Sequence, residues 1–383
     1  MIKKGEKHYI MNPMQTEILE ITSKSSHPIF IGTQILDDIP AYIQKEIKAE
    51  KVVIITNTNL IDAFGNVLKK GIESKKIHCT IIDIPSGEEQ KTFQTVSQIL
   101  NQLLTLKLER NDCIIALGGG VIGDLAGFIA SIYLRGIPLI QVPTTLLAQV
   151  DASIGGKTGV NHPKGKNLIG TFYQAKAIFI DTATLHLLPK RELRAGLAEI
   201  AKYAITLNTP LFHYMTKHLK EIIKFSPSQS QEIWQHMIKE SVKNKVSIVS
   251  EDEKESGKRA ILNFGHTIGH GVEAATNFKT FLHGEAVAIG MLIETEIAEK
   301  LSLISNEEAK KIKGFLNSLS YEETNLHATP EKIIEKMQMD KKVKSGKLHY
   351  VLPTEIGKTI ISNQVSIDIV KELLAKYCSD ATL

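Results

Sequence analysis

The chain has 383 residues, 43% of them hydrophobic and 23% charged, with a formal net charge of +4. That length calls for more than one core, and so small a charge gives no reason to expect nucleic acid or a membrane surface, while leaving room for a small anionic substrate. No apolar run reaches the roughly 18–20 residues of a membrane-crossing helix, residues 1–16 lack the apolar centre of a secretory signal, and three scattered cysteines, Cys79, Cys113 and Cys378, point to a reducing, cytoplasmic protein without disulfides.

After the polar N-terminal extension, the first half alternates short apolar runs with helical ones. Lys51–Thr56 is a strand that ends at the polar turn Asn57-Thr58-Asn59. His78–Ile84 is a second strand, stopped by Pro85, and Thr92–Leu106 has helical periodicity. Asp112–Leu117 is apolar without alternation, as in a parallel sheet covered on both faces. It runs directly into Gly118-Gly119-Gly120-Val121-Ile122-Gly123-Asp124. Such glycines let a backbone approach a pyrophosphate, and the amides opening the next helix point at the anion. The usual Rossmann layout also wants an acidic residue closing the next strand. Here that strand, Leu139–Val142, closes in Pro143-Thr144-Thr145, so the loop reads as a nucleotide site of another α/β type; the bland alternative is a glycine-rich turn that binds nothing. A second glycine- and lysine-bearing stretch follows, Asp151–Asn161 and Lys164–Asn167. Lys157, Lys166 and Asn167 lie there on adaptable segments suited to a phosphate or carboxylate, or on a merely solvated basic loop. Ala177–Ile180 is the last strand of this half.

Near residue 186 the pattern changes. Lys190–Ile205, Ser230–Val249, Leu262–Ala275, His283–Lys300, Asn306–Leu319 and Pro330–Met339 read as helices, with a β-like pair at Lys347–Leu352 and Thr359–Ser362. The expected organisation is therefore an extension over 1–16, an α/β domain over 17–186 and a mostly helical domain over 187–383, packed without a flexible linker. His266 and His270 are four apart, which puts both imidazoles on one helix face. His283 opens the next helix, and Glu199 and Lys202 share a face of the first one. Histidines with a carboxylate, rather than cysteines, suggest a metal that keeps a position open for chemistry. Spacing alone leaves open which of the three histidines bind it. The other histidines, among them His27, His78, His213, His218, His236 and His349, show no such clustering.

GGGVIGD (118–124), VPTTLLAQVDASIGGKTGVN (142–161), GLAEIAKY (196–203), RAILNFGHTIGHGVEA (259–274), LHGEAVAIGM (282–291) and DKK (340–342), in that order, resemble 3-dehydroquinate synthases. The resemblance runs from about Thr22 to the C-terminal region. It implies an α/β NAD-binding N-terminal domain, a mostly α-helical metal- and substrate-binding C-terminal domain with the site between them, and a homodimer. It implies NAD and a divalent metal, zinc or cobalt, as cofactors. The implied reaction belongs to the shikimate pathway of aromatic amino acid biosynthesis. It converts 3-deoxy-D-arabino-heptulosonate 7-phosphate to 3-dehydroquinate and phosphate. Transient oxidation, phosphate elimination with the substrate's own phosphate as base, re-reduction, ring opening and aldol closure follow one another.

By that resemblance Glu199, His266 and His283 would bind the metal, and His270 would relay protons instead. Glu255 matches a proton-accepting position, with Lys157, Lys202 and Lys245 as further catalytic groups. Arg135, Asp151, Asn167, Arg259, Asn263 and one lysine of the pair Lys341 and Lys342 would hold substrate. Asn57, Thr58, Asn59, Glu88, Lys91, Gly119, Gly120, Val121, Asp124, Thr144, Thr145, Lys166, Thr184, Leu185, His186 and Leu187 would line the NAD site. Ala195 departs from the polar residue often found at its position, at the expense of one cofactor contact. The alternatives are another sugar-phosphate cyclase, a metal-dependent polyol dehydrogenase of the glycerol dehydrogenase type, and a non-catalytic nucleotide-binding protein.

Overall fold

Runs of Val, Ile and Leu without polar alternation are strands only if both faces are covered. In this computed structural model, which describes residues 16–21, 27–255, 257–319, 325–339 and 348–378, they form the middle of a seven-stranded sheet. The chain divides into two compact units, one ending at His186 and the other beginning at Leu187.

The first unit carries β1 (Thr16–Ile21), β2 (His27–Gly32), β3 (Lys51–Asn57), β4 (His78–Ile84), β5 (Cys113–Gly118), β6 (Leu139–Pro143), β7 (Lys157–His162), β8 (Gly165–Phe172) and β9 (Ala177–Asp181). Helices α1 (Ile39–Tyr42), α2 (Asn66–Ser74), α3 (Phe93–Thr105) and α4 (Gly120–Ile132) connect them. The sheet order is β1-β2-β9-β6-β5-β3-β4, parallel except for the edge strand β1, which pairs antiparallel with β2. Strands β2, β5, β6 and β9 are buried at every residue. One face packs Val52, Ile54, Cys113, Ile115, Val142 and Phe179 against Ile39, Tyr42, Leu68 and Ile72 of α1 and α2. The order of connections sets the ligand position. From β3 the chain moves outward to β4, returns to β5 on the other side of β3, and moves on to β6. The carboxyl ends of β3 and β5 therefore flank a reversal point, where open α/β sheets bind ligands.

β7 and β8 form an antiparallel hairpin, not the adaptable loops expected from the sequence. KTGVNH and GKNLIGTF carry glycine, lysine and asparagine where a strand is usually recognised by β-branched alternation. The pairing is held by backbone bonds and by Thr158, whose hydroxyl donates to the Thr171 carbonyl at 3.0 Å.

The second unit contains α5 (Lys190–Thr206), α6 (Thr209–Lys217), α7 (Leu219–Ile222), α8 (Gln231–Glu251), α9 (His266–Ala275), α10 (His283–Lys300), α11 (Asn306–Ser318), α12 (Pro330–Gln338), the hairpin β10 (Tyr350–Glu355) and β11 (Lys358–Ser362), and α13 (Ile367–Ala375). Two helices form its interior. Every residue from Leu193 to Thr206 in α5 and from Gly284 to Thr295 in α10 is buried. A helix buried all round packs on several neighbours at once, and α10 touches α5, α9, α11, α13 and β10. The helix expected from Leu262 starts instead at His266. Lys258–Asn263 is a 3-10 helix, Phe264 is extended, and Gly265 takes φ +77°. That left-handed turn aims the Gly265 amide at the buried Glu294 carboxylate, which accepts it at 2.7 Å.

Candidate active site

The second unit brings three distant segments together by backbone contact. A Cβ on Gly284 would lie 1.8 Å from the Ala195 carbonyl oxygen, and one on Gly290 would lie 1.9 Å from that of Gly265. Only glycine at these two positions lets α10 touch α5 and the turn before α9 so closely. In consequence Glu199, His266 and His283 each offer one ligand atom, all within 4.8 Å of one another. Glu199 Oε1 stands 3.4 Å from His266 Nε2 and 3.7 Å from His283 Nε2.

The hydrogen bonds around this trio determine what it can hold. His266 Nδ1 lies 3.0 Å from the Phe264 carbonyl, and His283 Nδ1 lies 3.0 Å from Glu273 Oε2. Both partners are acceptors, so they assign the ring proton to Nδ1 in each case. Two Nε2 lone pairs and Glu199 Oε1 then face one another. Glu199 is fully buried, and among the described residues that oxygen has no hydrogen-bond partner, while Oε2 takes the Lys202 ammonium. Three converging acceptors, one of them a buried carboxylate oxygen, are costly without a cation, and a His₂–carboxylate set fits a divalent ion with a position left open. Each imidazole is also fixed through its other nitrogen, as metal-binding histidines usually are. The His270 ring lies with its centroid 5.6 Å from that of His266 and 5.7 Å from that of His283. His270, Glu273 and His283 make a second cluster of possible ligands that shares His283 with the first.

Several further expected groups gather in this unit. Lys202, Lys245 and Arg259 are all buried, which suits a desolvated anion. Glu255 has φ +57°, rare for a residue with a side chain, and its carboxylate accepts from Asn263 Nδ2 at 3.3 Å. Asp252 Oδ2 holds the Gly257 and Arg259 amides, and Arg259 Nη1 donates to the Glu253 carbonyl at 2.7 Å. Lys341 and Lys342 lie outside the described residues.

The first unit places its candidates at the carboxyl edge of the sheet. Asn57, Thr58 and Asn59 follow β3, Glu88 and Lys91 follow β4, Gly119, Gly120, Val121 and Asp124 follow β5, and Thr144 and Thr145 follow β6. Thr184–His186 follow β9 in a 3-10 helix that ends at Leu187, which is largely exposed. The N-cap of α4 is Gly119, which has no side chain to bond the first amides, and such amides suit an anion. Buried Lys91 donates to Asp124 Oδ2 at 2.5 Å and to Asn167 Oδ1 at 2.6 Å, tying the β7–β8 hairpin to the glycine loop. Asn161 adds to that tie: its side chain donates to Glu88 at 2.8 Å and accepts the Asn167 amide at 3.0 Å. Its place at the close of the VDASIGGKTGVN stretch is the sequence signal for it. Lys166 and Lys157 sit on the same hairpin, and Asp151 lies in the helical turn Ala148–Ala152. Arg135 follows the end of α4, about 20 Å along that helix from the glycine loop.

Comparison with known proteins bears on the family and the fold. The sequence model described as 3-dehydroquinate synthase N-terminal matches residues 81–195, and the one described as 3-dehydroquinate synthase C-terminal matches 196–343. The 3-dehydroquinate synthase of Rippkaea orientalis is 45% identical over 91% of this chain and 95% of its own length. That of Nitrosospira multiformis is 40% identical over 97% and 100%. Among solved structures, a 2-deoxy-scyllo-inosose synthase complexed with carbaglucose-6-phosphate, NAD+ and Co2+ superposes with a TM-score of 0.84 at 28% identity, covering 94% of this chain and 99% of the other. A 2-epi-5-epi-valiolone synthase from Streptomyces hygroscopicus with NAD+ and Zn2+ bound gives 0.82 at 25% identity, covering 92% and 96%. A probable glycerol dehydrogenase from Sinorhizobium meliloti, 15% identical with a TM-score of 0.58 over 90% and 94%, shares the fold. The chain belongs to the 3-dehydroquinate synthase family.

Proposed function

We propose that this chain converts 3-deoxy-D-arabino-heptulosonate 7-phosphate to 3-dehydroquinate and inorganic phosphate, with NAD on its first unit and a divalent metal, zinc or cobalt, on its second. The carrying observation is the buried Glu199 Oε1, without a hydrogen-bond partner among the described residues, facing the Nε2 atoms of His266 and His283, in a chain of this family. When bound, the two groups supply reversible hydride acceptance and Lewis-acid polarisation of substrate oxygens.

The residues would divide the remaining work. Glu199, His266 and His283 would hold the ion. The first α4 amides, with Gly119, Gly120 and Val121, would take the dinucleotide phosphates, while Asn57, Thr58, Asn59, Asp124, Thr144, Thr145 and Lys166 would line its remainder. Lys157, Lys202, Lys245 and Arg259 would bind the substrate's phosphate and carboxylate. Their burial, where it occurs, strengthens those pairs by excluding water. Asn167 and Asn263 would orient hydroxyls. His270 and Glu255 would move protons, Glu255 from a backbone already held out of its relaxed range. Holding both anionic ends fixes the geometry in which elimination and ring closure compete well with escape. The reading includes a cytoplasmic homodimer, supported by family membership and by three free cysteines.

The test is dehydroquinate formation by the purified protein with NAD+ and zinc. Product from this substrate supports the reading. A folded, metal-loaded protein that is inert here but closes another sugar phosphate, or accumulates NADH from glycerol, would replace it by one of the alternatives.

A further inference from the structure

We propose that Glu273 is a positioning residue that holds His283 in the orientation and tautomer needed to bind the metal; the inference rests on the metal role of Glu199, His266 and His283 proposed above. Glu273 is 4% exposed and sits in the last turn of α9, where the helix dipole disfavours a negative charge. Burial and the dipole both argue against a carboxylate there, so its place needs a compensating contact. The geometry supplies one. Glu273 Oε2 lies 3.0 Å from His283 Nδ1, while His283 Nε2 faces Glu199 Oε1 at 3.7 Å. His283 opens α10 with its side chain 30% exposed, so packing alone does not fix its ring. An acidic acceptor on Nδ1 keeps the proton there and leaves the Nε2 lone pair toward the trio. His266 is fixed differently, by the backbone carbonyl of Phe264. Glu273 lies three residues after His270 on the same helix, and that spacing is the sequence signal for it.

The test uses the full chain and its Glu273→Ala and Glu273→Gln variants, with Co2+ and Zn2+ titrated against a chelating dye. The alanine variant should bind either ion roughly 10–100-fold more weakly. Glutamine, which keeps the acceptor and loses the charge, should fall between alanine and wild type. The visible spectrum of bound Co2+ should change in the alanine variant and be largely restored with glutamine, while NAD+ affinity stays as in wild type. A purely structural role would instead lower the metal-free unfolding midpoint and leave the Co2+ spectrum alone, which would overturn the proposal. So would a wild type that takes two ions per chain and an alanine variant that loses one, because Glu273 would then be a ligand of the His270–Glu273–His283 cluster. If the wild type binds tightly and both variants match it, this inference alone fails; if the wild type binds no ion, the metal reading fails with it.

Discussion

Gly284 allows a quantitative check on how the fold builds the metal trio. A Cβ at this position would stand 1.8 Å from the Ala195 carbonyl oxygen. Even close C–H···O neighbours sit roughly 3.3–3.6 Å apart, so Gly284→Ala must separate α10 from α5 by about 1.5 Å. Metal–ligand distances tolerate only about 0.2 Å, and His283 is the adjacent residue. Overpacking of this kind costs about 1–3 kcal/mol. The better helix propensity of alanine returns at most about 1 kcal/mol, and less at the second residue of a helix. A net loss of about 1–2 kcal/mol is expected, with zinc affinity down at least about tenfold. Urea unfolding followed by Trp234 reports the same unit, because this single tryptophan is buried in α8. Gly314→Ala, in the interior of α11 with nothing within 4 Å of its Cβ, is the control and should stabilise by about 0.5–1 kcal/mol. A Gly284→Ala protein as stable as wild type, with unchanged zinc affinity, would refute the reasoning.

Lys91→Met should destabilise the first unit by roughly 2–4 kcal/mol, since it removes a buried ammonium from its ion pair with the mostly buried Asp124. It should also weaken NAD+ binding; calorimetry and NAD+ titration check this, and an unchanged Kd would count against the glycine loop as the cofactor site. Burial pushes the Cys79 thiol up to about 12 and also raises that of fully buried Cys113. At mildly alkaline pH iodoacetamide should therefore label half-buried Cys378 first and the other two only after unfolding, as mass spectrometry would show. Equal labelling of all three in the native protein would contradict the core described here. Burial lowers the pKa of His236, with Lys239, Lys243 and His218 adding to the shift and Glu240 opposing it. The unfolded chain then binds more protons than the folded one between that lowered value and 6.5, so this contribution to stability rises with pH across the window and is lost below it. His236→Gln should flatten that part of the stability profile; an identical profile would show that His236 does not contribute.

The parallel strands were the most legible part of the chain, because Asp112–Leu117 and its neighbours are apolar on both faces and few other folds accommodate them. The β7–β8 hairpin was not, since its glycines, lysines and asparagines lack strand alternation and its register comes from pairing. Spacing placed His266 and His270 on one face. It could not show that the helix begins only after the Gly265 turn, which depends on Glu294 of a distant helix. The approach of Glu199 to the histidines rests on two glycine contacts between helices. No local pattern in the sequence expresses those contacts; Glu199 stood out as a candidate carboxylate beside the histidines, and the resemblance made it a ligand. Glu273 meets His283 across the turn between two helices, and Asn161 meets Glu88, 73 residues away, so neither contact could be read from the sequence.

The most direct test of the central claim is a single balance sheet of phosphate, dehydroquinate and NADH during turnover of 3-deoxy-D-arabino-heptulosonate 7-phosphate, with and without chelator. Equal release of phosphate and dehydroquinate with no net NADH, abolished by chelator and restored by zinc, is the predicted result. No phosphate release by the folded, zinc-loaded protein would contradict it.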